Sequence, residues 1–134
     1  MINIKVFTDG GSRGNPGKSA CAFVVYDFGN IIHQEKVFLG INTNNQAEYN
    51  GLLFALRYIN ERGVQDQEFE FFSDSELMVK QINGIYKVKD SGILKIFTDV
   101  KKEINKIPNF SIKHIRREKN ALADKLVNKC LDEN

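Results

Sequence analysis

Two aspartates in the sequence follow stretches that are predicted to be β-strands. Residues 2–9 alternate between apolar and polar side chains and end on Asp9, while residues 67–73 are rich in phenylalanine and are followed by Asp74. If these strands are parallel neighbours, both carboxylates emerge at the carboxyl edge of the sheet, which is where open α/β sheets bind ligands.

Two further carboxylates lie on predicted helices. Glu48 precedes Leu52 by four residues and Ala55 by seven, so it lies on the apolar stripe that faces the core. Asp124 precedes Val127 by three residues and borders the apolar stripe of the last helix. We therefore expect two strand-end aspartates and two inward-facing helix carboxylates to converge on one place.

Such a cluster would have a definite chemistry. Carboxylates that crowd together repel one another, and their pKa values rise unless cations neutralise them. Ligand sets made only of oxygen favour hard cations such as Mg²⁺ or Mn²⁺ over zinc, and two ions about 3.5–4 Å apart can hold the attacking and leaving oxygens of a phosphodiester displacement. Asp74 alone, which stands before Ser75 and a predicted helix, fits a helix cap equally well. The four carboxylates together favour a metal-dependent nuclease.

The segments that contain these carboxylates closely resemble the type 1 ribonuclease H family. The matching motifs are, in chain order, FTDGGSRGNPG at residues 7–17, TNNQAEY at 43–49, SDS at 73–75 and NALAD at 120–124. The resemblance implies the ribonuclease H fold, two Mg²⁺ ions in each active site with Mn²⁺ as the expected substitute, and an endonuclease that hydrolyses the RNA strand of RNA–DNA hybrids. Its products would carry 5′-phosphate and 3′-hydroxyl ends.

The resemblance also implies a role for each residue of these motifs. Asp9 would bridge both metals, Glu48 and Asp74 would hold one of them, and Asp124 would hold the other. Glu48 and the main chain of residues 10–14 would sense the 2′-hydroxyl group that marks RNA. The expected substrate-binding residues are Gly10, Gly11, Ser12, Arg13, Gly14, Asn15, Thr43, Asn44, Asn45, Lys87, Lys89, Arg116 and Arg117.

The chain departs from the well-known bacterial members of the family at two elements. Residues 85–92 are too short to form the basic protrusion of those members, and the chain has no tryptophan, so Lys87 and Lys89 are expected to replace part of that element. The loop that carries a histidine is also missing, because residues 116–119, which include Arg116 and Arg117, lead directly from the last predicted strand into the last helix. The sequence is most similar to the compact branch of the family that lacks both elements.

Two other functions fit parts of the same pattern. A broader nuclease would also cut double-stranded RNA, and a non-catalytic module would keep the fold only to bind a hybrid or RNA. A pure binding module gains nothing from four carboxylates that repel, so the complete set argues against it. The net charge of +2 does not by itself indicate nucleic-acid binding, although lysines that cluster between residues 80 and 106 would either neutralise phosphates or form a solvated helix face.

Periodicity and turn residues predict the elements that must position the carboxylates. The fold class is α/β, a mixed five-stranded sheet of three antiparallel strands and two parallel strands, flanked by helices. Residues 10–18, rich in glycine, are predicted to be a loop. The strands are predicted at residues 2–9, 19–27, 31–39, 67–73 and 110–117, and the helices at 44–61, 75–83, 91–106 and from Asn120, which would cap the last helix.

Length and composition are those of one globular domain. Hydrophobic residues make up 42% of the 134 residues, so we expect residues 1–134 to form a single catalytic domain. The longest apolar run, Ala20 to Tyr26, is too short to span a membrane, and no signal peptide is evident. We therefore expect a soluble, cytoplasmic monomer. Cys21 and Cys130 are expected to be reduced core thiols, with a long-range disulfide as the alternative.

Overall fold

The computed structural model describes residues 2–63 and 67–134, which form one five-stranded sheet in the order β3-β2-β1-β4-β5 with four α-helices. Strands β1, β2 and β3 are antiparallel, whereas β4 runs parallel to β1 and β5 runs parallel to β4. The predicted fold class is therefore confirmed. The elements are β1 (Ile2–Gly14), β2 (Gly17–Asp27), β3 (Asn30–Asn42), α1 (Asn44–Arg62), β4 (Glu68–Ser73), α2 (Glu76–Ile82), α3 (Ser91–Ile104), β5 (Phe110–His114) and α4 (Ala121–Asp132).

The predicted loop at residues 10–18 is wrong, because β1 and β2 continue through it as a hairpin. The pairing extends from Gly10 opposite Cys21 to Gly14 opposite Gly17. Composition misled the prediction, since glycines favour loops. Here they serve close packing instead: a Cβ atom at Gly17 would lie 2.1 Å from the Arg13 carbonyl oxygen across the hairpin.

The carboxyl ends of two other strands also differ from their predicted positions. β3 continues to Asn42, beyond the predicted end at residue 39, because its partner β2 begins at Gly17 and pairs with it there. β5 ends at His114 rather than at residue 117, and Arg117–Lys119 form a turn of 3₁₀ helix. β4 provides the reason, since its last paired residue, Ser73, lies opposite His114.

Helix α1 crosses β1 at very short range. A Cβ atom at Gly10 would lie 2.2 Å from the carbonyl group of Ala47, and one at Gly51 would lie 2.6 Å from the main-chain oxygen of Asp9. The absence of side chains at both glycines lets the helix descend onto the strand. Because Glu48 lies between the two contact points on the helix, this crossing brings it beside Asp9.

The start of α1 has strong local determinants. Thr43 is the N-cap residue, its side chain accepts a hydrogen bond from the Gln46 N–H, and the Gln46 side chain accepts one from the Thr43 N–H. This reciprocal arrangement, a capping box, satisfies two main-chain donors that a helix start would otherwise leave free. The helix ends at Gly63, whose φ of 66° is left-handed.

The sheet separates two apolar cores. The larger core lies under α1 and α3 and includes Phe23, Leu56 and Phe71, whereas α4 covers a small cluster built on Ala20 and Ala22. Alternate residues of β2 therefore point to opposite faces. In the part of the chain that the structure describes, no helix is both long and apolar enough to cross a bilayer.

The two cysteines lie on opposite faces of this sheet. Cys21 faces α1, since a Cβ atom at Gly51 would lie 3.5 Å from the Cys21 Cβ, while Cys130 belongs to the cluster under α4. Both thiols are free and buried, and burial raises the pKa of each. Both cysteines are core residues, as expected, and the structure has no disulfide between them.

The close crossing of α1 and β1 can be tested with a matched pair of substitutions. Gly10→Ala should lower the free energy of unfolding by about 2–3 kcal/mol, because its methyl group would overlap main-chain atoms that cannot rotate away. In Gly11→Ala the methyl group would meet the Val127 side chain at 3.6 Å, an ordinary contact, so the change should stay within about 1 kcal/mol. Urea unfolding of both variants measures the difference, and equal losses would show that the crossing is looser than described.

Candidate active site

The parallel pairing of β1 with β4 brings two of the predicted carboxylates together. The last residues that pair between β1 and β4 are Thr8 and Ser73, so the next residues, Asp9 and Asp74, lie side by side where β4 ends. Strand β1 continues there in its pairing with β2. Glu48 joins them from α1, and one carboxylate oxygen of each of the three residues lies within 4.8 Å of the others.

Asp124 reaches the same place from the other side of the sheet. It lies in the first turn of α4 and lines a cleft of about 330 Å³ together with the three clustered carboxylates. Arg117 lies 3.4 Å from one Asp124 oxygen, and the Asn128 side chain donates to the other at 3.4 Å. The structure therefore places all four predicted carboxylates around one cleft, although Asp124 stands apart from the group of three.

Burial and mutual repulsion perturb the clustered carboxylates. Burial first, and then the negative charge of Asp74, raise the pKa of Asp9 from 3.8 to about 7, against the hydrogen bond that the Gly10 N–H donates at 2.9 Å. Burial and the charges of Asp9 and Asp74 raise the pKa of Glu48 well above its usual value. Burial also raises the pKa of Asp74, and the neighbouring Arg117 guanidinium opposes that rise.

The donor set fits a hard divalent cation. One oxygen of Glu48, Oε2, is buried without a hydrogen-bond partner among the described residues, which is costly for a carboxylate unless a cation compensates it. The other groups around it are carboxylates as well, with no thiolate or imidazole in the cluster. Oxygen ligands of this kind suit Mg²⁺ or Mn²⁺.

The β1–β2 hairpin forms the wall of the cleft beside these carboxylates. Gly10, Gly11, Ser12 and Arg13 line it, together with Asn44 at the start of α1. Two hydrogen bonds connect the hairpin to the start of α1, one donated from each side. The Ser12 N–H donates to the Asn44 side-chain oxygen at 3.3 Å, and the Asn44 N–H donates to the Asn15 side-chain oxygen at 2.9 Å.

Arg13, Arg116 and Arg117 differ in their positions relative to the cleft. The Arg13 guanidinium lies 2.7 Å from a carboxylate oxygen of Asp132, at the far end of α4. Arg117 lines the cleft at Asp124, whereas Arg116 does not line it. Of the two arginines that stand where the histidine loop is missing, the structure thus brings only Arg117 to the carboxylates.

The remaining predicted substrate contacts lie outside the cleft. Asn15, Thr43 and Asn45 line a neighbouring groove between the start of α1 and α2. Lys87 and Lys89 are exposed on the irregular segment between α2 and α3, and the Gln81 side chain in the same groove donates to the Lys87 main-chain oxygen at 3.4 Å. These residues therefore lie outside the carboxylate cluster.

Sequence reasoning missed Asn128, which lines the cleft and donates both to the main-chain oxygen and to the carboxylate of Asp124. Its position four residues after Asp124 was the available signal, because residues i and i+4 are neighbours on a helix surface.

Comparison with known proteins agrees with this geometry. Residues 7–130 match a family model described as reverse transcriptase-like. Ribonuclease HI of Halobacterium salinarum is 34% identical over 131 residues, which are 97% of this chain. The chain belongs to the type 1 ribonuclease H family. A bifunctional protein of Mycobacterium tuberculosis is 32% identical to this family member over 133 residues, or 98% of the chain. The chain spans only 65% and 36% of the lengths of these two relatives.

Solved structures of the family superpose closely on the chain. LC11-RNase H1, isolated from compost by a metagenomic approach, is 42% identical with a TM-score of 0.93, covering 99% of this chain and 98% of that one. The complex of LC11-RNase H1 with an RNA/DNA hybrid also gives a TM-score of 0.93, at 41% identity and 97% coverage of both chains. RNase H1 of H. salinarum gives a TM-score of 0.92 at 32% identity, with 98% of both chains covered. The fold is the ribonuclease H fold that the motifs implied.

The raised pKa of Asp9 predicts how the stability of the metal-free protein depends on pH. Because the pKa of Asp9 is raised from 3.8 to about 7 on folding, the native state binds a proton that the unfolded state releases. The stability that the protonated Asp9 side chain contributes is present in full below the pKa that Asp9 has in the unfolded chain. It is lost as the pH rises through about 7, the pKa in the folded protein. With EDTA present, wild type should lose about 1–3 kcal/mol relative to Asp9→Asn between about pH 5.5 and 8.5.

Urea unfolding at the two pH values measures this difference. Asp9→Asn is the reference, because asparagine keeps the shape of the side chain without its charge. Parallel pH profiles for the two proteins would contradict the expectation.

Proposed function

We propose that the chain is an endonuclease that hydrolyses the RNA strand of RNA–DNA hybrids with two divalent cations, leaving 5′-phosphate and 3′-hydroxyl ends. The observation that carries this proposal is the group of Asp9, Glu48 and Asp74, whose oxygens lie within 4.8 Å of one another, with Asp124 in the same cleft. Membership of the type 1 ribonuclease H family and the hybrid complex of LC11-RNase H1 support the choice of substrate.

We assign the four carboxylates to two cation positions. Asp9, Glu48 and Asp74 would hold one Mg²⁺, and Asp9 and Asp124 would hold the other, with Mn²⁺ able to substitute in both positions. Bound there, the cations would act as Lewis acids that stabilise the attacking and leaving oxygens of the phosphodiester.

Arg117 adds positive charge where the substrate phosphate would enter. Its guanidinium pairs with Asp124 at 3.4 Å and is 77% exposed, so it is free to exchange this partner for a phosphate. Guanidinium groups bind phosphate oxygens through two parallel hydrogen bonds. We assign to Arg117, rather than Arg116, the contact with substrate at the position of the missing histidine loop.

The hairpin wall suits recognition of a ribose. Gly10 and Gly11 present main chain without side chains to the cleft, so a sugar-phosphate strand is able to approach closely. The Glu48 carboxylate stands beside them as an acceptor for a 2′-hydroxyl group, which DNA lacks. The groove that contains Asn15, Thr43 and Asn45 continues this surface and would contact minor-groove edges and phosphates of the hybrid.

Cleavage of one end-labelled RNA strand tests the function. The strand is annealed in turn to DNA, to RNA and to nothing, and is incubated with Mg²⁺, Mn²⁺ or EDTA. We expect cleavage in the hybrid with either cation and none in EDTA. Asp9→Asn should slow cleavage by at least about 10³-fold, or roughly 4 kcal/mol of barrier, because it removes the carboxylate shared by both cations.

The same experiment separates the alternatives. Full activity in EDTA would exclude the metal mechanism, and cleavage of a DNA–DNA duplex at an equal rate would exclude recognition of the 2′-hydroxyl. Cleavage of the RNA–RNA duplex would replace hybrid specificity by the broader nuclease activity. A protein that binds the hybrid and leaves it intact with both cations would be a binding module.

Lys87 and Lys89 provide a separate prediction about substrate binding. Their replacement by alanine in a double variant should raise the Michaelis constant and flatten its dependence on salt, because fewer counterions are released when fewer phosphates are neutralised. Turnover should change little.

The control is the double variant Lys95→Ala/Lys102→Ala, which removes the same charge from exposed positions of α3. Michaelis constants are measured at several salt concentrations for both double variants. If the Lys87/Lys89 variant keeps the salt slope of wild type, these two lysines belong to a solvated surface.

A further inference from the structure

Asn120 is buried at the junction between the sheet and α4. The residue is 2% exposed, and its side-chain Nδ2 donates a hydrogen bond of 2.8 Å to the main-chain oxygen of Thr8, 112 residues away in the sequence. Thr8 is the residue immediately before Asp9. This hydrogen bond therefore ties the strand that carries one carboxylate to the start of the helix that carries another.

The side chain makes this contact instead of capping its helix. Asparagine is favoured at the N-cap because its side-chain oxygen accepts a hydrogen bond from the first helical turn. Asn120 occupies the N-cap position of α4, as the sequence predicted, yet it makes no such bond, and its Oδ1 is buried without a partner among the described residues. The Asn120 amide therefore stabilises the contact between α4 and β1 and does not stabilise the start of its own helix.

Asn120 is also coupled directly to Asp124. The Asp124 N–H donates to the Asn120 main-chain oxygen at 3.1 Å, which closes the first turn of α4. Two hydrogen bonds therefore connect Asp124, through Asn120, to the residue before Asp9. The path is short, and its atoms are part of a strand and of a helical turn, so it leaves little freedom between the two carboxylates.

Electrostatics explains why such a tie is needed. Burial is the largest cause of the raised pKa values of Asp9 and Asp74, and the negative charge of Asp124 adds to both, so these carboxylates repel one another. Asp9 and Asp74 are fixed by the sheet, whereas Asp124 depends on how α4 docks. Without a restraint, the repulsion would move the first turn of α4 away from the sheet.

We propose that Asn120 is a positioning residue, which holds Asp124 at the correct distance from Asp9 by donating a hydrogen bond from Nδ2 to the Thr8 carbonyl. It touches neither substrate nor cation and acts only through the two carboxylates. The activity readout of this inference rests on the proposed function, but its cation-binding readout does not.

Two variants test the inference. Asn120→Ala removes the amide and leaves the start of α4 without a side chain that could cap it. Asn120→Ser also removes the bond to Thr8, because serine is too short to reach it, but serine is a good N-cap residue and should restore stability to the start of α4. The matched control is Asn60→Ala, because the Asn60 amide also ties two elements together, by donating to the Glu103 main-chain oxygen at 3.0 Å, and lies away from the cleft.

Three quantities are measured for each protein: the midpoint of thermal unfolding in EDTA, the binding of Mn²⁺ to the metal-free protein by titration calorimetry, and kcat and KM on an RNA–DNA hybrid. For both Asn120 variants we expect a fall of at least about tenfold in kcat, a KM within about twofold of wild type and a severalfold weaker binding of Mn²⁺. Asn120→Ser should unfold at a higher temperature than Asn120→Ala. Asn60→Ala should lower the unfolding midpoint alone.

Several outcomes would overturn the proposal. Asn120 variants that lose stability but keep wild-type kcat and Mn²⁺ binding would show a purely structural role, as would failure of both to fold. A comparable loss of kcat in Asn60→Ala would attribute the effect to stability. If wild type cleaves no hybrid, the proposed function fails, and the difference in Mn²⁺ binding between wild type and the Asn120 variants still decides the role of Asn120.

Discussion

Repulsion among buried carboxylates is the interaction on which the arrangement of this molecule depends. Asp9, Glu48 and Asp74 are held together by a parallel strand pair and by a helix that crosses β1 over glycines, and none of these supports is itself charged. The main chain therefore opposes the repulsion, and a hydrogen bond between Gly10 and Asp9 relieves only part of it. A site that concentrates negative charge in this way is prepared for cations before they arrive, at the expense of stability without them.

Much of this site could be predicted from the sequence because its determinants are local. Alternation marks the strand that contains Asp9, helical spacing shows that Glu48 faces inward, and the parallel direction of the last two strands follows from their helical connections. The sequence also offered Thr43 or Asn44 as the cap of α1, and Thr43 is the residue that caps it. Each of these signals lies within a few residues of the feature that it predicts, so no knowledge of distant contacts was needed.

The parts that could not be predicted depend on contacts between distant residues. Glycine at positions 10–17 favours a loop in any local interpretation, and only the presence of α1 above Gly10 shows that it serves close packing in a strand. Asn120 was correctly placed at a helix start, but its bond to Thr8 joins residues from opposite ends of the chain. The division of the site into a cleft and a neighbouring groove is likewise a property of the assembled surface.

The small core beneath α4 has a consequence for local unfolding. Among the described residues, this cluster has only a few buried members, namely Ala20, Ala22, Val127, Cys130 and Leu131. The far end of the helix is held by surface ion pairs such as Arg13 with Asp132. Exposed ion pairs contribute little, so α4 should detach at a lower free energy than the rest of the fold unfolds. A chain with α4 detached would still be folded by most measures, yet it would lack one of the four carboxylates. Any ligand that binds Asp124 and the sheet together would stabilise the docked position of this helix.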